Sequence, residues 1–300
     1  MASNQISISV CICTYKRPTL LGRLLEKLIE QITEGLFSYS IVVIDNDINR
    51  SAESIYLNFK TKMNQRIDYY NEPRQNISFA RNMAVLKSQG DFIAFIDDDE
   101  FPDSTWLLNL YKTICVSNAD GVLGPVKPHF ETQPPEWILR SNILERPSFE
   151  TGTVLKAGDT RTGNLLIAKS VFNEGISPFD PKFGRTGGED GDFFRRMISK
   201  GCTFVWCNEA SVYETIPPER FKRTYFLKRA FLRGVSEARL SSVRKMDIFK
   251  SVLACSLYTV ALPFLLVRQH LFMKYLIKDC DHAGKILAMC GIEVIKERDF

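Results

Sequence analysis

The sequence predicts an α/β fold, a mostly parallel sheet with helices on both faces, followed by a C-terminal helical region. Two observations carry the first part. Short runs of consecutive apolar residues alternate with helical patterns through the first hundred residues, as strands covered on both faces require. Each run ends abruptly in polar or acidic residues. The second part rests on a change of character in the last seventy residues, where a basic stretch leads into a charge-free one.

The elements follow in order. Ile6, Ile8, Val10 and Ile12 alternate with small polar residues or Cys and read as strand one, which stops at Thr14-Tyr15-Lys16-Arg17-Pro18. Pro18 suits a helix start, and Leu20, Leu21, Leu24, Leu25, Leu28 and Ile29 repeat with helical spacing. Ile41-Val42-Val43-Ile44 is a buried strand ending at Asp45-Asn46-Asp47. Ile67 to Tyr70 is a short strand and Ile77 to Leu86 a helix. Phe92 to Ile96 is a further buried strand, ending at Asp97-Asp98-Asp99-Glu100. Gly121 to Val126 and Asn164 to Ile167 read as strands, and Pro128 to Trp137 as loop. The glycine-rich run Gly184 to Asp190 leads into a helix starting at Asp192.

Hydrophobic residues at 45% and charged residues at 25% exclude a disordered chain, a fibrous repeat and a polytopic membrane protein. Ten of the 39 Lys/Arg but only three of the 35 Asp/Glu fall between Pro217 and Lys250, so a slightly acidic body carries a basic collar. Ser251 to Val267 follows without a charge, interrupted by Pro263. Three readings of this segment are open: a helix lying in a membrane interface, a core or oligomer helix, and a membrane span. The eight cysteines show no C-x-x-C pair and no clustering with the three histidines, so reduced thiols in a cytoplasmic protein are expected. Met1 to Gln5 shows no basic start to a long apolar run, so no secretory signal is expected.

The chemistry is legible in where the polar residues fall. Thr14, Asp45 and Asp97 to Asp99 each stand just past the C-terminal end of an apolar strand. In an open parallel sheet those ends share one edge, where ligands bind. Crowded carboxylates repel unless a cation compensates, and oxygen donors select Mg²⁺ or Mn²⁺. A metal-bridged nucleotide is therefore expected. A solvated acidic turn is the plain alternative for each block by itself. Pro102 and Leu108 stand where a calcium loop needs Gly and Glu, and neither G-x-x-x-x-G-K-[ST] nor G-x-G-x-x-G occurs.

Five blocks in order resemble the family 2 glycosyltransferases. They are Val10 to Pro18, Ile44-Asp45-Asn46, Ser78-Phe79-Ala80-Arg81-Asn82, Phe95 to Glu100 and Gly187 to Phe194. The resemblance covers about residues 6–235 and implies the GT-A fold, a Rossmann-like sheet with helices on both faces. More narrowly, Asn76-Ile77-Ser78, Leu123 to Val126, Arg161 to Asn164, Pro217 to Arg220 and His282 to Lys285 resemble the succinoglycan-type bacterial glucosyltransferases of exopolysaccharide assembly. It implies a domain over 1–235, nucleotide-binding to about residue 100 and acceptor-binding beyond, with 236–300 as a membrane-interface or oligomerisation region.

The resemblance also implies roles. Thr14, Tyr15 and Arg17 lie beside the nucleotide, Asp45 accepts from the uracil N–H, and Arg81 helps hold the nucleotide. Asp97 and Asp98 face the nucleotide-sugar, and Asp99 binds the metal with Asp97. Asp190 is the general base, with Glu189 beside it shaping the acceptor pocket. Many relatives place a further metal-binding His where this chain has Tyr213-Glu214, so Glu214 stands as its substitute. The implied reaction is metal-dependent, inverting transfer of a hexose from a UDP-sugar, UDP-glucose by resemblance, to a saccharide acceptor. The collar and apolar segment point to a lipid-linked acceptor on the inner face of the plasma membrane, with peripheral contact to anionic lipid and no nucleic acid. A sugar-nucleotide nucleotidyltransferase and a non-catalytic scaffold binding membrane or nucleic acid are the alternatives. The first wants a glycine-bearing loop after strand one, which Thr14 to Pro18 lacks.

Overall fold

The computed structural model describes residues 5–62, 66–172, 177–184, 187–240 and 245–292. Arg185 and Thr186 of the glycine-rich run, and Met1 to Asn4, lie outside the described residues. The chain divides into two compact units. The first comprises Met1–Lys127, Arg146–Arg185 and Glu189–Glu214, and the second Pro128–Glu145, Thr186–Gly188 and Thr215–Phe300.

In chain order the elements are β1 (Ile6–Thr14), α1 (Pro18–Ile29), β2 (Phe37–Asp45), α2 (Glu53–Lys60), β3 (Ile67–Asn71), α3 (Ile77–Lys87), β4 (Phe92–Phe95), β5 (Glu100–Pro102), α4 (Trp106–Ser117), β6 (Gly121–Leu123), β7 (Val126–His129), α5 (Glu136–Ser141), β8 (Leu165–Ala168), α6 (Glu189–Ser199), β9 (Phe204–Trp206), β10 (Val212–Thr215), α7 (Arg223–Leu240), α8 (Lys245–Leu265) and α9 (Gln269–Met289). The main sheet of the first unit has the order β3-β2-β1-β4-β8-β6-β9. All neighbours run parallel except β8, which is antiparallel to both β4 and β6.

The apolar strand runs are explained by cover on both faces. Ile8, Val10 and Ile12 point to one side, against Leu21, Leu24, Leu25 and Leu28 of α1 and Trp106, Leu107 and Leu110 of α4. Cys11, Val42 and Ile44 point to the other, against Ala80 and Ala84 of α3 and Phe193, Phe194 and Met197 of α6. The mostly parallel sheet with helices on both faces is thus present. All eight cysteines are free.

Three local expectations are corrected. The loop expected over Pro128 to Trp137 begins inside β7 and ends inside α5, leaving 130–135 between them. The strand expected over Gly121 to Val126 is two strands, because the chain turns at Gly124, where a β-carbon would meet the Ala210 carbonyl oxygen at 2.2 Å. Helix α6 begins at Glu189 rather than Asp192, so Glu189 and Asp190 belong to its first turn. In the second unit α7 runs unbroken across position 235/236. It packs on α9 through two glycines: a β-carbon at Gly234 would meet the Asp281 carbonyl at 2.0 Å, and one at Gly284 the Phe231 carbonyl at 2.2 Å.

Candidate active site

Strand register brings the polar strand ends together in the first unit. Thr14 pairs with Asp45 across β1 and β2, and Cys11 with Phe95 across β1 and β4, so the acidic run after β4 emerges beside Thr14. The Thr14 hydroxyl donates to Asp98 Oδ2 at 2.8 Å. Arg17, at the start of α1, donates through Nη1 to Asp98 Oδ1 at 2.9 Å and Asp99 Oδ2 at 3.1 Å. Between them Lys16 takes a left-handed φ of 54°, with its ammonium 5.0 Å from the centre of the half-buried Tyr15 ring.

Burial pushes the Asp98 carboxyl up to about 6. The Asp99 charge adds to the rise, while Arg17 and the Thr14 hydroxyl oppose it. A carboxyl with a raised folded-state pKa stabilises fully below its unfolded value of 3.8, and that contribution is lost as pH rises through about 6. Asp98→Asn escapes this loss. Relative to wild type it is expected to gain about 2–3 kcal/mol between pH 4 and pH 8. Unfolding curves for the two proteins that stay parallel across that range would remove the assignment.

A second acid group lies behind the first. Glu100 is buried and accepts from the Asp97 N–H at 3.1 Å. Burial, reinforced by the charge of Asp97, holds its carboxyl well above the usual range. Gly163 closes this spot, since a β-carbon there would stand 3.0 Å from Glu100 Oε1 and 3.1 Å from Asp97 Oδ2. Glu100 and Glu214 face each other across β5 and β10, and the Arg146 guanidinium is paired with Glu214. Arg161 completes the group. Burial pushes its guanidinium down to about 10, with Arg146 adding to the fall and Glu100, Asp190 and Glu214 opposing it.

The third acid block arrives from α6. Arg81 is buried on α3 and donates through Nη1 to Glu189 Oε1 at 2.5 Å, while its Nη2 lies 3.8 Å from Asp97 Oδ1. One guanidinium therefore joins carboxylates from two segments ninety residues apart in sequence. The Glu189 carboxyl is raised by burial, with Arg81 opposing and Asp190 adding to the rise. Asp190 is half-exposed, and the Gly191 N–H donates to its Oδ1 at 2.8 Å.

Helix α3 also latches the chain that leads into α6. Asn76 caps α3 by accepting from the Ser78 N–H at 2.9 Å and donates to the Pro181 carbonyl at 3.0 Å. The Ser78 hydroxyl donates to the Asp180 carbonyl at 3.0 Å. Asn82 exchanges two bonds with the Phe179 backbone, at 2.8 and 2.9 Å. Gly184 lies so close to Asn76 that a β-carbon would fall 1.7 Å from its Oδ1. Asn76, Ser78 and Asn82 stand within two turns of one helix. That spacing is the signal by which the latch could have been found.

Asp45 stands at the end of β2 as expected, and its carboxylate is wholly buried. Oδ1 accepts from the Asp47 N–H at 3.0 Å, and Oδ2 from the Ala52 N–H at 2.8 Å and the Tyr69 hydroxyl at 2.9 Å. The side chain holds the loop between β2 and α2. Thr14 likewise acts on Asp98, with 2% of its surface exposed. Glu100, Arg146 and Arg161 were absent from the expected site. Their strand and loop positions acquire meaning only when β5, β10 and the Arg161 to Asn164 turn converge.

For a divalent cation, the chemistry of the donors is right and their number is small. The Asp97 side chain is half exposed beside Arg81, so its carboxylate oxygens are open to a ligand from solvent. Among the described residues no three His, Cys, Asp or Glu side chains form a metal-binding group. Asp97 and Asp99 fit as a pair of ligands, with other positions left to oxygens of a ligand or solvent. Glu214, expected as a further ligand, pairs with Arg146, as Asp99 pairs with Arg17.

Residues 9–172 match the family described as Glycosyl transferase family 2. Over 99% of its length the chain is 29% identical to the succinoglycan biosynthesis protein ExoM of Rhizobium meliloti, covering 97% of that protein. It is 24% identical to the hyaluronan synthase of Pasteurella multocida over 73% of its length, spanning a quarter (25%) of that larger enzyme. Residues 1–349 of S. aureus TarS, solved in complex with UDP-GlcNAc, superimpose with a TM-score of 0.54 at 15% identity, over 95% of this chain and 92% of that one. At that identity the likeness is one of fold.

Proposed function

The chain belongs to glycosyl transferase family 2 and is a glycosyltransferase, and from that premise we propose that it transfers a hexose from a UDP-sugar to a saccharide acceptor with inversion at the anomeric carbon. The acceptor hydroxyl oxygen forms the new bond to the anomeric carbon as the bond to the diphosphate oxygen breaks. Asp190 takes the hydroxyl proton, and UDP leaves. The observation that carries this reading is the buried Arg81, which ties the Glu189-Asp190 pair to the acidic run after β4. The residues taken as base and as metal ligand are thereby tied to one guanidinium. The half-exposed position of Asp190 leaves it open to an acceptor.

Arg17 and Tyr15 are assigned to the nucleotide, with Asp98 accepting from both Thr14 and Arg17. Arg146 and Arg161 add positive charge near Glu100 and Glu214. Asp97 and Asp99 would hold a divalent ion, Mn²⁺ or Mg²⁺, which when bound stabilises charge on the departing diphosphate. UDP as the carrier draws support from the UDP-GlcNAc complex of TarS. Glucose, and a lipid-linked acceptor of surface-polysaccharide assembly on the inner face of the membrane, draw support from the full-length likeness to a succinoglycan biosynthesis protein.

A UDP-release assay over a panel of UDP-sugars tests this reading. Acceptor-stimulated release with one donor, UDP-glucose first, is the expected result. Diphosphate release from UTP and a sugar phosphate would make the protein a nucleotidyltransferase instead, and silence across the panel would leave a scaffold. For the metal pair, Asp99→Ala is expected to erase the gain in UDP affinity that Mn²⁺ brings in calorimetry. An unchanged gain would take Asp99 out of the metal shell.

A further inference from the structure

Helix α8 is apolar nearly all round. Its less exposed positions include Ser251, Cys255 and Tyr258 together with Ala254, Leu262 and Leu265. Toward α9 the Thr259 hydroxyl donates to Asp279 Oδ2 at 3.3 Å, the Cys255 thiol meets the same carboxylate, and the Tyr258 ring lies 5.9 Å from His282. Asp279 Oδ1 and His282 Nδ1 are buried there as well. Its outer side carries Phe249, Leu253, Leu257, Val260 and Phe264, at spacings of three and four that keep one helical face, with Val252 at its edge. Phe249 is 65% exposed, Leu257 61%, Val260 69% and Phe264 83%. Of the 18 residues Ile248–Leu265, 6% are buried. A core helix of a soluble protein does the reverse. An apolar face this continuous marks a surface that is covered in use.

We propose that this face lies in the plane of an anionic lipid bilayer, seating the second unit on the membrane surface. The inference deepens the functional reading by naming the surface that would meet a lipid-linked acceptor, but rests on the geometry of the second unit alone. Charge selects the occupant. Exposed Lys250 and Arg268 stand at the two ends of the apolar stretch. A second copy docking through the same face would bring two such sets of cations together, whereas anionic headgroups neutralise them.

Depth selects the orientation. Eighteen helical residues extend about 27 Å, close to the hydrocarbon thickness, so length alone permits a span. Helix α9 runs back beside α8, however, with Asp279 level with Thr259 and Tyr275 beside Tyr258. Exposed Lys274 and Lys278 therefore flank the middle of the apolar stretch, and a span would draw them into hydrocarbon. An in-plane helix buries its outer face and leaves α9 in water.

The test is flotation of the full chain with phosphatidylcholine vesicles, with and without phosphatidylglycerol. The expected result is co-flotation with the anionic vesicles that weakens at high salt. Leu257→Glu and Val260→Glu should each lower partitioning by about tenfold or more, while circular dichroism and UDP release in solution stay as in wild type. Phe264→Trp serves as a depth reporter, and quenching by shallow-labelled lipid above deep-labelled lipid is expected. Equal recovery in the soluble fraction with both vesicle types overturns the proposal. So does strongest quenching by the deep label, which means a span. A vesicle-independent dimer in sedimentation that Leu257→Glu dissolves assigns the face to a second copy. Flotation needs no donor, so its failure would leave the sugar-transfer reading standing, and a silent donor panel would leave this one standing.

Discussion

Asp190→Asn is expected to lower turnover by about 10²- to 10⁴-fold while UDP binding persists. The substitution keeps the volume and the hydrogen bond that Gly191 N–H donates, and removes only the capacity to take a proton. Asp190 lies in the first turn of α6, anchored from the sheet side by Phe193 and Phe194 and reached electrostatically by Arg81 and Arg161. Nothing in that setting depends on its charge for folding as Glu189 depends on Arg81. The loss should therefore appear in turnover and spare stability. Turnover close to wild type would withdraw the base assignment, and a collapse of stability would mean that the carboxylate is structural.

Arg81→Met is expected to cost about 3–5 kcal/mol of stability, seen as a fall in melting temperature of about 6–20 °C for a unit of this size. The cost arises because Glu189, 7% exposed, would lose the guanidinium that holds its charge. Burial already raises the Glu189 carboxyl, and Arg81 is what opposes the rise. Without Arg81 it moves further up, so the deficit should shrink as pH falls and Glu189 takes a proton. Arg81→Met combined with Glu189→Gln should regain part of the loss, because no buried charge is then stranded. A single variant as stable as wild type, or a double variant that sums the two single losses, would mean that the pair is not coupled.

The legible parts of the molecule were those governed by local pattern. The apolar runs at Ile6, Ile41 and Phe92 are strands because a strand covered on both faces must be apolar on both. Helix α1 follows from Pro18 and its leucine stripe. Helix α2 was not read from the sequence because it is only eight residues long; its apolar side, Ile55, Tyr56 and Phe59, is partly buried against the core. Strands β5 and β9 are three residues each, too short for a period to register. Asp45 shows the limit at a single side chain. Its place at the strand end followed from sequence, but its direction is set by Tyr69 and the Ala52 N–H, which turn it inward.

By itself the sequence determined the sheet-forming runs, the acidic strand ends, the family and the oddity of the charge-free stretch in the last seventy residues. These depend on neighbours in the chain, whose spacing is visible in one dimension. Tertiary structure alone decided which carboxylates share a cation, that Arg81 meets Glu189 and Asp97, that Arg146 meets Glu214, and which side of α8 is left bare. Each of those depends on groups 16 to more than 100 residues apart, and on electrostatic and packing terms that have no value until the chain has brought the partners within a few ångströms.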